Sequence, residues 1–129
     1  MKGSPLKSTT IEPAALRNPA APFSPAMLTP SGANWLYISG QFSANGSCEE
    51  QAQAVWTQIV LLLNEAGLGI SDLVKLNQYI VTDADVSAYV RVRNTFLNGH
   101  RPANTLVLVP ALAAPPGALV EVEAIAAKF

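Results

Sequence analysis

The chain of 129 residues has the size of one domain, yet half of its side chains are hydrophobic and only 13% are charged, apolar for a small monomer with much surface to cover. Eight Lys/Arg against nine Asp/Glu give a formal net charge of -1 with no basic run, which disfavours direct nucleic-acid binding. One cysteine, Cys48, and one histidine, His100, exclude an internal disulfide and a His/Cys zinc site, and no apolar run approaches the roughly 20 residues of a membrane span.

Five prolines (Pro5, Pro13, Pro19, Pro22 and Pro25) fall in the first 25 residues. Their missing N–H groups argue against a regular element, so residues 1–20 are expected to form an arm over a single domain spanning 21–129. This N-terminus has no apolar signal-peptide core, and a cytoplasmic protein is expected. Ala26 to Thr29 and Trp35 to Ser39, split by the turn 30–34, read as a hairpin. Ser47-Cys48-Glu49-Glu50 is a capping box, and Ala52, Val55, Trp56, Ile59, Val60, Leu62, Leu63 and Ala66 follow at helical spacing up to a stop at Gly67.

Leu73 to Val81 reads as a strand, and Thr82 to Asp85 caps a second helix that runs through Tyr89, Arg93 and Phe96 to Asn98-Gly99. Two more strands, Asn104 to Val109 and Leu119 to about Ala127, flank the loop 110–117. The order is ββαβαββ, an α+β fold with a mixed sheet. Its two helices cover one face, leaving strand ends and the other face to be buried by self-association.

In the last strand the period of two puts Val120, Val122, Ala124 and Ala126 on the helix side, and Glu121 with Glu123 on the other. Those carboxylates are either solvated sheet residues or, at an interface, the acid/base groups of a site. Ser39-Gly40-Gln41 offers a hydroxyl, a close backbone approach and an amide, or simply ends a strand. Asn104 would bring its amide near Glu121 if the last two strands pair. His100, among loop residues, is either a loop side chain or the lone base.

Ala21-Pro22-Phe23-Ser24, Tyr37-Ile38-Ser39-Gly40-Gln41, Ala66-Gly67-Leu68 with Asp72-Leu73-Val74-Lys75, Arg101-Pro102-Ala103, and Val120 to Ala126 resemble, in order, the landmarks of the RidA/YjgF family over residues 21–127. The resemblance implies a chorismate-mutase-like homotrimer. Its clefts lie between subunits, and there enamines or imines are hydrolysed to ketoacids and ammonium without a cofactor. It implies catalysis by Glu121 and a cleft lined by Phe23, Ser39, Gly40, Asn104 and Thr105.

The chain departs from the family at its arginine, the substrate-carboxylate clamp after Pro-Ala, which is Asn104 here; the family's tyrosine is Phe23, and its helix asparagine aligns with Val90. Losing such a contact weakens a carboxylate substrate roughly 30-fold to several thousand-fold. Arg101 falls on the opposite side of an extended chain, and Arg91 and Arg93 on the solvated face of the second helix, so none is expected to restore the clamp.

The expected activity is hydrolysis or deamination of a small enamine, imine or related unsaturated amine, with Glu121 protonating an enamine carbon or positioning water, and not the family's usual 2-aminoacrylate reaction. The alternative is a non-catalytic trimer that binds a small metabolite. Endoribonuclease activity, a label the family has carried, is disfavoured by the pI of about 5.7 and the want of a histidine pair.

Overall fold

The computed structural model describes residues 6–129. In chain order its elements are β1 (Thr9–Ile11), β2 (Ala26–Leu28), β3 (Asn34–Phe42), α1 (Cys48–Glu65), β4 (Leu73–Ile80), α2 (Val86–Leu97), β5 (Ala103–Leu108) and β6 (Val120–Lys128). Helix α1 starts where its capping box places it: Ser47 Oγ accepts from the Glu50 amide at 3.2 Å, and Glu50 Oε1 accepts from the Ser47 amide at 2.9 Å. It ends at Gly67, with φ of 79°, and the Leu68 amide closes back on the Leu63 carbonyl at 2.8 Å in a Schellman stop.

The main sheet has the order β3-β6-β4-β5. Strand β6 is antiparallel to both neighbours, and β4 runs parallel to β5 through the crossover helix α2. Both helices cover one face, as expected. There Val55, Trp56, Ile59 and Leu63 of α1 pack with Val120, Val122, Ala124 and Ala126 of β6 in one buried cluster, where a fully buried large side chain contributes on the order of 1.5–3 kcal/mol. The opposite face is open and carries Trp35 and Tyr37, 47% and 72% exposed, with stacked rings 6.4 Å apart.

Three expectations about pairing are corrected. Strand β2 does not form a hairpin with β3; it pairs antiparallel with β1 in a separate two-stranded ribbon. Thr9-Thr10-Ile11 is a β-branched run between prolines, so the arm holds a strand after all. Strand β5 pairs with β4 and not with β6, which puts Asn104 opposite Leu76 on the helix side while Glu121 lies opposite Tyr79 on the open side. The two are therefore on opposite faces of the sheet.

Candidate functional site

Strand β6 presents Glu121 and Glu123 to the open face, as its alternation requires. Glu121 rests directly over Gly40: a Cβ added there would meet Glu121 Oε2 at 1.9 Å, so only glycine leaves room for the carboxylate. The register between β3 and β6 shifts between Ile38 and Gln41, a bulge that sets Gly40 against this carboxylate. Gly40 and Glu121 thus meet, whereas Ser39 lines a separate groove with Leu36, Gln41, Leu62 and Ala66. Tyr79, which sequence reasoning passed over, joins the Gly40–Glu121 pair by donating its hydroxyl to Glu123 Oε1 at 2.7 Å. That bond, with lesser effects of burial and of the Glu123 and Glu121 charges, raises the Tyr79 pKa above its ordinary 10.0.

A cavity of about 310 Å³ opens beside this group, lined by Tyr79, Glu121, Glu123 and the loop residues Val109, Ala111 and Leu112. Its loop is anchored by Gln51, a fully buried amide on α1. Gln51 donates to the Gly46 and Gly117 carbonyls at 3.1 and 2.8 Å and accepts from the Leu119 amide at 2.8 Å, satisfying both ends of the amide. Thr105 also lies on the open side, two strands away, where its hydroxyl receives the Lys75 ammonium at 2.9 Å.

A second group lies on the helix side at the edge strand. Asn104 Oδ1 accepts from Gln78 Nε2 and, at 3.2 Å, from Arg93 Nη1. Gln78 Oε1 in turn accepts from the Tyr89 hydroxyl and, at 3.4 Å, from Arg93 Nη1. Arg93 is only 3% exposed, which overturns its expected place on a solvated face. The reason is legible afterwards: Tyr89, Arg93 and Leu97 recur every four residues, so Arg93 belongs to the inward stripe of α2. Burial lowers the Arg93 pKa and raises that of Tyr89.

Phe23 stands beside the same edge, because Ser24 bridges Ala103 in parallel fashion and its amide donates to the Pro102 carbonyl at 3.1 Å. The other cations have structural work. Arg101 holds the arm through Glu12 at 3.0 Å and the Phe23 carbonyl at 2.9 Å, and Arg91 makes an exposed 3.6 Å pair with Glu49. His100 Nε2 donates to the Leu73 carbonyl at 2.7 Å and lies away from Glu121, in a 470 Å³ cavity between the arm and the end of β6.

The sequence model of the family described as Endoribonuclease L-PSP matches residues 13–128. A 2-iminobutanoate/2-iminopropanoate deaminase from Capra hircus is 32% identical over 129 aligned positions, covering 94% of this chain and 88% of the relative. A RutC family protein from Pyrococcus abyssi is 30% identical over 118 positions, covering 85% and 89%. Among solved structures, a protein of the conserved Rid family from Yersinia pestis superposes with a TM-score of 0.81 at 31% identity, covering 95% of this chain and all of its own.

Proposed function

The chain belongs to the Endoribonuclease L-PSP family, which includes the YjgF/Rid proteins, and on that premise we propose that it hydrolyses a small imine or enamine in a cleft shared between copies of a homotrimer. The observation that carries the reading is the Glu121 carboxylate seated over Gly40 at the mouth of a small cavity. A relative named as an imine deaminase supports the reaction class. The shared cleft is favoured by two features. Glu121 and Asn104 face opposite sides of one sheet, and the outer edge of β5 beyond Ala103 has no strand against it among the described residues. A second copy laid on the open face brings one chain's Glu121 to another's edge strand.

In this reading Glu121 takes a proton from water as the oxygen attacks the imine carbon, and gives that proton to the nitrogen, forming a carbinolamine. Glu121 then takes the hydroxyl proton and passes it to the nitrogen; as the C=O bond forms, the C–N bond breaks with its electron pair on the now protonated nitrogen, which leaves as ammonia and becomes ammonium in water. An enamine first receives a proton from Glu121 on carbon and joins the same path. RNA cleavage is not proposed: the net charge of -1 supplies no field for a polyanion.

The test is ammonium release from a panel of imines made in situ by an amino-acid oxidase. Turnover lost in Glu121→Gln supports the reading, and equal turnover overturns it. Ligand-induced thermal stabilisation without turnover assigns a binding protein instead. A solution mass of one chain at micromolar concentration removes the shared cleft.

A further inference from the structure

The loop from Pro110 to Leu119, Pro-Ala-Leu-Ala-Ala-Pro-Pro-Gly-Ala-Leu, carries no side chain that can make a hydrogen bond. Its position has to be fixed by other parts of the chain. Both ends are held by β4 and the residue after it: the Val109 amide donates to the Ile80 carbonyl at 2.9 Å, and the Leu119 carbonyl accepts from the Val81 amide at 3.2 Å. Between them Pro110, Pro115 and Pro116 restrict φ, and the Ala118 amide closes one turn on the Pro115 carbonyl at 3.3 Å.

The remaining hold comes from Gln51. Its buried carboxamide takes the Gly117 carbonyl and the Leu119 amide from the loop and the Gly46 carbonyl from the approach to α1. A second contact marks the same place. Gly117, at φ of 98°, comes so close that an added Cβ would meet the Ala44 carbonyl oxygen at 2.7 Å. The segments 44–46 and 117–119 are therefore clamped together by a side chain that does not itself line the cavity beside Glu121.

The pinned loop closes one side of that cavity. Val109, Ala111, Leu112 and Ala113 face Glu121 and Tyr79 across about 310 Å³, and Leu112 stands half-buried between two exposed alanines. A wall of aliphatic groups recognises no charge and no hydrogen bond, so it can select only by shape. We propose that this loop is the specificity wall of the Glu121 site: Leu112 sets the largest substituent that the imine carbon can carry. Gln51, which touches no substrate, is the positioning residue that fixes the wall. The inference rests on the reading of Glu121 as the acid/base group and deepens it, by assigning an apolar substituent to the side of the substrate that meets the loop. A wall displaced by about 1 Å changes which group fits while Glu121 stays over Gly40, so Gln51 acts on selection more than on proton transfer.

The test is the ratio of kcat/KM for imines made in situ by an amino-acid oxidase from alanine and from phenylalanine. A ratio cancels any loss of folded protein, so a residue that only stabilises the chain does not move it. Leu112→Ala is expected to shift the ratio at least about 10-fold toward the phenylalanine-derived imine, and Gln51→Met to shift it the same way by about 3- to 10-fold. Hydrogen exchange read by mass spectrometry checks the pin directly. Gln51→Met is expected to speed exchange of the amides in 111–119 by about 10- to 100-fold, with those of β4 and β6 unchanged. Should Gln51→Met fail to fold, Gln51→Glu replaces it, since it keeps an acceptor for the Leu119 amide and gives up a donor. A native ratio in Leu112→Ala overturns the wall, and native exchange of 111–119 in a folded Gln51 variant overturns the pin. If no imine turns over, the deaminase reading fails alone, and the ratio is read from calorimetric binding of pyruvate and phenylpyruvate. A ratio still shifted by Leu112→Ala then sustains the wall, whereas an unshifted ratio, or no binding of either up to about 10 mM, removes it.

Discussion

The two faces of the sheet hold polar groups in opposite ways. On the open face Glu121, Glu123 and Tyr79 stand partly accessible, set by the alternation of neighbouring strands and by one glycine. On the helix side Gln78, Tyr89 and Arg93 are sealed, and join Asn104 in a network drawn from β4, α2 and β5. The first arrangement leaves groups free to exchange protons with a guest, whereas the second makes every partner answerable for stability. Chemistry and stability should therefore respond to different substitutions.

The largest separation is expected from Glu121→Gln, which should lower ammonium release by about 10²–10⁴-fold while the thermal midpoint moves by no more than about 2 °C. Gln78→Leu is its counterpart on the helix side. It strips an acceptor from the buried Tyr89 hydroxyl and from Arg93, and urea unfolding should show a loss of about 3–5 kcal/mol. A Gln78→Leu protein as stable as the native chain would erase the contrast.

A smaller effect, about 10-fold in turnover, is expected for Gly40→Ala, because the added methyl group displaces the Glu121 carboxylate without opening the core. The smallest is the response to alkali. Cys48, on the helix side, has its thiol pKa raised from 9.0 to about 11, first by burial and then by Asp85. A folded-state pKa above the unfolded one means that this contribution to stability is complete below pH 9 and is lost as pH rises through about 11. Chemical unfolding between pH 8 and 11 should show this decline, and Cys48→Ala should reduce it, leaving the part above about pH 10 that the buried Tyr89 hydroxyl contributes. The parallel shift of Tyr79 belongs to an accessible group and is screened, so Tyr79→Phe should change the profile little.

What the sequence made readable follows the same division. The caps of α1, the apolar stripe of that helix and the two-residue alternation of β6 are local signals, and each matches the structure within one or two residues. Gly40 and Glu121 come together because the strands that carry them are neighbours. Strand partners were not readable. Nothing local tells Ala26–Leu28 to choose Thr9–Ile11 over β3, or tells β5 to lie beside β4, and that second choice sets the face on which Asn104 lies. The charge of Arg93 argues for solvent, although its spacing from Tyr89 and Leu97 marks the inner face. Gln78, alternating with Leu76 and Ile80 on the buried side of β4, left the same kind of clue.

The arm has a practical consequence. The β1–β2 ribbon, the Ser24 bridge to Ala103 and the Arg101 contacts with Glu12 and Phe23 form one strap across the start of β5. Pulling Thr9–Ile11 away from Ala26–Leu28 loosens Ser24, and with it the ring of Phe23 at the sheet edge. A fusion partner or bulky label placed close to the ribbon would be felt some way along the chain, at the start of β5. Such additions need slack ahead of Leu6, or belong elsewhere on the molecule.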